Sequence, residues 1–257
     1  MDEVADRLSG KTITVFGCPI SLLTFRKAAR QIVMWSRSHH ITEPRAILLR
    51  DAHGVLQGRS DHRIRALEET ADLVLPDGVP IVWCLRRAGF LSAQRIYGPD
   101  LLDAVCRMTS CKKIRHGFLG GSTHFATTLA HAFPCLDIAG VLTPTIVDGI
   151  RVNHDIIERI NTLNIDLLWV GLGCPKQDHW IASHRPYLNV KVLVGVGAAF
   201  DFLEGRVLQA PRDLQRLGLE WMWRLCMEPR RLGPRYIKVI PHFAMLACRD
   251  AFSRQRE

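Results

Sequence analysis

I-D-L-L-W-V-G-L-G-C-P-K-Q, residues 165–177, passes from a six-residue run, apolar but for Asp166, through a glycine turn to Pro175 and a polar stretch. A run this short, apolar at alternate and intervening positions alike, reads as a β-strand covered on both faces, which parallel sheets require. The same signature recurs in T-I-T-V-F (12–16), A-I-L-L (46–49), L-V-L (73–75), K-I-R-H-G-F-L (113–119), D-I-A-G-V (137–141) and K-V-L-V-G-V (191–196). Between these runs, residues 21–35, 98–108 and 153–161 carry apolar side chains at three- and four-residue spacing, with Ser21 and Asp100 near the expected helix starts. The alternation predicts an α/β fold: a Rossmann-like, mostly parallel sheet with helices on both faces.

Such sheets bind ligands beyond the carboxyl ends of their strands. The turns that follow the predicted strands are R-D-A-H-G (50–54), P-D-G-V-P (76–80), L-G-G-S-T (119–123), G-L-G-C-P-K-Q (171–177) and G-V-G-A-A-F-D (195–201). The last two depart from the dinucleotide fingerprint at its third glycine, where Lys176 and Phe200 stand, and no phosphate-loop motif occurs. A nicotinamide-dependent dehydrogenase is thereby disfavoured.

The 257 residues are 47% hydrophobic and 23% charged, enough for a sizeable core. The longest apolar stretch near the end, residues 236–248, is broken by Lys238, Pro241 and His242, short of the roughly 20 apolar residues of a spanning helix. The acidic start, M-D-E-V-A-D, lacks the layout of a secretion signal, so a cytoplasmic protein is expected. Eight cysteines show neither C-x-x-C nor zinc spacing, so no metal and no disulfide framework are expected. The net charge of +9 is concentrated late: residues 206–257 hold eleven Lys and Arg against five Asp and Glu. Strand signals stop near 205, which divides a core (1–205) from a basic, Trp/Arg-rich C-terminal helical appendage (206–257). The basic residues lack the interleaved aromatic platform of a nucleic-acid binder.

Within the turns, Asp77 interrupts an apolar run, and a carboxylate there serves either as a general base or as a turn residue bonding its own backbone. Asp201 is a second such carboxylate. Gly120 and Gly121 open backbone N–H groups towards phosphate oxygens, or simply make a turn. Lys176 supplies a cation and Gln177 an amide, although a solvated helix start reads the same way. With no Asp-x-Asp to clamp a metal, a leaving phosphate has to be stabilised by Lys, Arg and backbone N–H groups.

Taken in order, D-A-H-G (51–54), A-D-L-V-L-P-D-G-V-P-I-V-W (71–83), R-I-Y-G-P-D-L-L (95–102), F-L-G-G-S (118–122), G-L-G-C-P-K-Q-D-H-W-I (171–181), V-G-V-G-A-A-F-D-F-L-E-G (194–205) and the Trp/Arg-rich stretch from Ala210 to Tyr236 resemble the WecG/TagA/CpsF family of glycosyltransferases. The resemblance covers roughly residues 10–240. It implies inverting, metal-independent transfer of a sugar from a UDP-sugar to a polyprenyl-diphosphate-linked saccharide, without a cofactor, in the synthesis of exopolysaccharide, capsule or related envelope polymers. By position it implies Asp77 as base and Arg95 near the acceptor or diphosphate. Gln177 and Asp201 fall at the nucleotide sugar, and Gly120–Gly121 beside the phosphates. It also implies an appendage that closes over the site at the inner face of the membrane, with Arg224, Arg230, Arg231 and Arg235 as its cations. One departure stands out. Better-known members end the strand before Asp77 in Thr-x-Asn, where this chain has Leu49 and Asp51, so Asp51 and His53 are the hypothesised replacements in acceptor binding. A nucleotide-binding regulatory protein without chemistry is the alternative, and whether the chain forms a homo-oligomer is open.

Overall fold

The computed structural model describes residues 11–38, 43–146 and 148–253. Six strands, β3 (Arg45–Arg50), β4 (Leu73–Pro76), β5 (His116–Gly120), β6 (Ile138–Leu142), β7 (Leu167–Gly171) and β8 (Val192–Gly195), form one parallel sheet in the order β4-β3-β8-β7-β5-β6. The stretch quoted at the outset lies inside it: Trp169 of β7 is in register with Val194 on one side and Phe118 on the other. Successive residues alternate between two cores, as the two-residue period of a strand dictates. Leu48, Leu168, Val170 and Leu193 face one core, while Ile47, Leu49, Trp169 and Val194 face the other.

The first predicted strand departs from expectation. β1 (Thr12–Val15) pairs antiparallel with β2 (Cys18–Ser21) in a separate hairpin, outside the parallel sheet. Phe16 (φ 51°) and Gly17 (φ 95°) are both left-handed, the geometry of a two-residue turn whose twist suits a hairpin. Local pairing therefore claims this strand. Ser21, expected near a helix start, instead ends β2 and accepts a hydrogen bond from the Val74 N–H at 3.0 Å. Helix α1 (Phe25–Ser36) starts one step later, capped by the Thr24 hydroxyl.

The remaining helices are α2 (Ala52–Ser60), α3 (His62–Thr70), α4 (Val79–Arg87), α5 (Gly98–Thr109), α6 (Phe125–Ala132), α7 (His154–Thr162), α8 (Lys176–His184), α9 (Ala199–Leu203), α10 (Arg212–Arg216), α11 (Glu220–Met227) and α12 (Pro229–Ser253). Asp100 lies in the first turn of α5, as its spacing suggested. Helices α1, α5 and α6 cover one sheet face, and α2, α4, α7 and α8 the other. The expected α/β architecture with a C-terminal helical region is what the chain adopts.

Helix α12 buries Leu232, Val239, Phe243 and Leu246, a stripe at helical spacing. The Phe243 ring meets Phe16 edge-on at 5.2 Å, so the last helix is packed against the first hairpin. Each such side chain contributes about 1.5–3 kcal/mol when fully buried. Among the described residues no helix is long and apolar enough to cross a membrane.

Candidate active site

The ends of β3 and β4 are tied together by backbone: the N–H groups of Asp77 and Gly78 both donate to the Arg50 carbonyl, at 2.9 and 3.2 Å. Gly78 permits this approach, since a Cβ there would lie 3.0 Å from the Asp51 Cα. Two carboxylates, Asp51 and Asp77, thus stand side by side at the sheet's carboxyl edge. Beneath them Arg50, with no exposed side-chain surface, binds Glu68 at 2.6 Å and Asp178 at 3.0 Å. Burial alone would lower the Arg50 pKa, but Asp178 and Glu68 outweigh it and keep the guanidinium charged. This ion triad pins β3, α3 and α8 to one another.

Asp77 retains 27% side-chain exposure. Its Oδ1 accepts from the Gly98 N–H at 3.2 Å and lies 4.0 Å from Arg95 Nη2. Burial pushes its pKa up to about 6; Arg95 opposes the rise, while Asp51 and Glu220 add to it. Arg95 donates through Nε to the Asp77 carbonyl and through Nη1 to Glu220 at 2.7 Å, and its guanidinium sits 4.0 Å above the Tyr97 ring. A carboxyl poised near neutrality on a ligand edge is suited to accept a proton.

Asp51 caps α2 by accepting from the Gly54 N–H at 2.8 Å and receives Arg235 Nη2 of α12 at 3.1 Å. Burial acts to raise the Asp51 carboxyl, but Arg235, the Gly54 bond, His53 and Arg224 together hold it below its usual range. His53 is pushed down by burial and by Arg235, and its Nδ1 has no hydrogen-bond partner among the described residues. Asp51, His53, Asp77, Arg95 and Arg235 are therefore one cluster.

The other predicted residues lie around it. Lys176 opens α8 after the turn at Cys174–Pro175, and forms no ion pair among the described residues. Gln177, 3% exposed, accepts from the Gly197 N–H at 2.9 Å and so fastens the β8 loop to α8. Gly120 and Gly121 both have positive φ, and a Cβ on Gly120 would press on the Gly171 carbonyl at 2.8 Å. Their turn is joined to α9 by the Ser122 hydroxyl, which donates to Glu204. Asp201 pairs with Arg206 at 2.7 Å. Arg224 lies over the Phe202 ring at 5.3 Å, Arg231 pairs with Glu228, and Arg230 is exposed. A cavity of ≈ 840 Å³ opens beside Arg95, lined also by Tyr97, Asp100, Phe202, Arg212 and Gln215, within the size range of small-molecule sites.

Glu220 and Tyr97 were not foreseen as site residues. The signal for Glu220 was its place in L-G-L-E-W, an acid among apolar neighbours, which is expensive to bury without a partner.

The doubly covered parallel sheet gathers a desolvated carboxyl, arginines and glycine turns on its carboxyl edge, where open α/β sheets bind their ligands. The chain belongs to the WecG/TagA/CpsF family of glycosyl transferases, whose family model matches residues 13–257. It is 32% identical over 188 residues to an N-acetylglucosaminyldiphosphoundecaprenol N-acetyl-beta-D-mannosaminyltransferase of Bacillus spizizenii, covering 69% of this chain and 71% of the relative. Proteins of the same description from Bacillus subtilis (28% over 185 residues, 70% of each chain) and Staphylococcus aureus (26% over 180 residues, 67% of each) are also similar.

Proposed function

We propose that the chain transfers a sugar, with inversion and without a metal, from a UDP-sugar to a polyprenyl-diphosphate-linked saccharide in envelope-polymer synthesis. The observation that carries this reading is Asp77, a carboxyl raised to about 6 at the carboxyl edge of the sheet, beside Arg95 and next to Asp51, which receives Arg235 of the last helix. The description of the relatives supplies the acceptor class, a diphosphoundecaprenol-linked sugar.

In the reaction, Asp77 takes the proton of an acceptor hydroxyl as its oxygen attacks the anomeric carbon. The bond from that carbon to the diphosphate oxygen breaks on the opposite face, so the configuration inverts and UDP leaves with the electron pair. Its charge is met by cations and backbone N–H groups; Lys176 and the Gly120–Gly121 turn stand on the same edge. Asp51 and His53 face the acceptor in place of the threonine element.

Because the acceptor of this proposed reaction is lipid-linked, we infer that α11 and α12 meet the inner face of the cell membrane, a reading that their exposed side chains support. Trp221, Met222, Met227, Ile237, Ile240 and Met245 are exposed beside Arg230, Lys238 and Arg249. Apolar and basic side chains mixed in this way favour an anionic interface. The testing experiment is radiolabelled transfer from a panel of UDP-sugars to polyprenyl-diphosphate-linked acceptors, wild type against Asp77→Asn. No transfer from any UDP-sugar, with UDP still bound, would favour the non-catalytic nucleotide binder instead.

A further inference from the structure

We propose that Glu220 is a positioning residue for the base: it holds Arg95 in place beside Asp77, so that the proton-accepting site is complete only when α11 is seated on the core. The inference rests on the reading of Asp77 as base.

Glu220 is the first residue of α11, with a side chain only 10% exposed. Its Oε2 accepts from Arg95 Nη1 at 2.7 Å, a contact that spans 125 residues of chain. Arg95 is held on every side. Nε binds the Asp77 carbonyl, Nη2 stops 4.0 Å short of Asp77 Oδ1, and the planar group rests on Tyr97. Because the guanidinium is a rigid fork, fixing one nitrogen aims the others.

The gap of 4.0 Å is the informative distance. An arginine free of Glu220 would close onto Asp77, form a charge-assisted hydrogen bond, and lower the carboxyl's affinity for the proton, leaving it a poorer acceptor. Glu220 draws the cation the other way and adds a like charge of its own. The groups facing Asp77 include Arg95 and Tyr97 from the loop before α5, the Gly98 N–H of α5, Asp51 just after β3 and Glu220 from α11, and Tyr97 interacts with Glu220 as well. Arg235 and His53 act on Asp51 in turn. Glu220, which lies beyond residue 205, acts on Asp77 among these groups, and it touches Arg95 rather than the reacting atoms.

The test compares wild type with Glu220→Gln, which keeps size and an acceptor oxygen but removes the charge. The Asp77 carboxyl is followed by carbon-13 NMR in full-length protein, assigned with Asp77→Asn, and kcat and KM are measured across pH. The expected result is an Asp77 midpoint about one pH unit lower, tenfold in proton affinity. The acid limb of kcat should move equally, the plateau of kcat should fall about tenfold, and KM for the UDP-sugar should stay unchanged. Glu220→Asp, which keeps the charge, should restore the limb, and it stands in should the glutamine variant fail to fold. An unmoved Asp77 midpoint in folded Glu220→Gln overturns the proposal. Transfer surviving in Asp77→Asn would instead overturn the base assignment, and since the titration needs no turnover the two failures are separable.

Discussion

Arg235 of α12 donates to Asp51 at the end of β3 across 3.1 Å, although 184 residues of chain separate them. Helix α12 therefore brings its charge to the end of β3 directly. Arg235→Ala should let the Asp51 carboxyl rise, because burial then acts with less opposition. Both partners are partly exposed, so the fold should lose less than about 1 kcal/mol. Acceptor KM should increase about tenfold with a small change in the thermal midpoint, measured by transfer kinetics and by melting.

Asp77→Asn should reduce turnover about 10²–10⁴-fold, the usual worth of a positioned base. In wild type, kcat should fall as pH drops through about 6, where the base becomes protonated.

The same residue makes a prediction of opposite sign for stability. Its folded pKa of about 6 exceeds the ordinary 3.8, so the folded state binds this proton more tightly than the unfolded state does. The contribution is fully present below about pH 4 and is lost as pH rises through about 6. Asp77→Asn should consequently melt higher than wild type at pH 8 while losing most of its turnover, a trade of stability for function. Melting curves at pH 4 and pH 8 measure it, and the variant's advantage should appear only at the higher pH.

Arg50→Met should cost about 3–5 kcal/mol in chemical denaturation, because Glu68 and Asp178 would be left buried without their shared cation. The loss is large because the guanidinium binds two carboxylates from different helices.

Ile237→Asp with Ile240→Asp should weaken sedimentation with anionic vesicles about tenfold and leave the melting point unchanged, since Ile237 is 75% exposed. Wild-type binding should weaken as salt rises.

The parallel sheet was legible because its strands are apolar on both faces, a pattern that few other structures produce. The hairpin was not, since it turns on Phe16 in a left-handed conformation that no propensity announces. Asp77 and Asp51 could be placed on one edge because each follows a predicted strand, but only the backbone bonds to the Arg50 carbonyl make them neighbours. Arg50 itself was read as part of a turn. Its burial depends on Glu68 and Asp178, partners 18 and 128 residues away, which short-range patterns do not reveal. The Arg95–Glu220 contact escaped for the same reason.

The edge-on contact of Phe16 with Phe243 has a bearing on how the chain is made. The hairpin is synthesised well before the ring that meets it, because most of the sheet lies between the two in the chain. Strands and their helices are able to condense as they appear, with the N-terminal part folding first. Until α12 arrives, Phe16 stays uncovered and Asp51 lacks Arg235. The arrival of α12 thus hides the apolar ring and completes the charge cluster together, and a chain interrupted before α12 displays its incompleteness as bare hydrophobic surface.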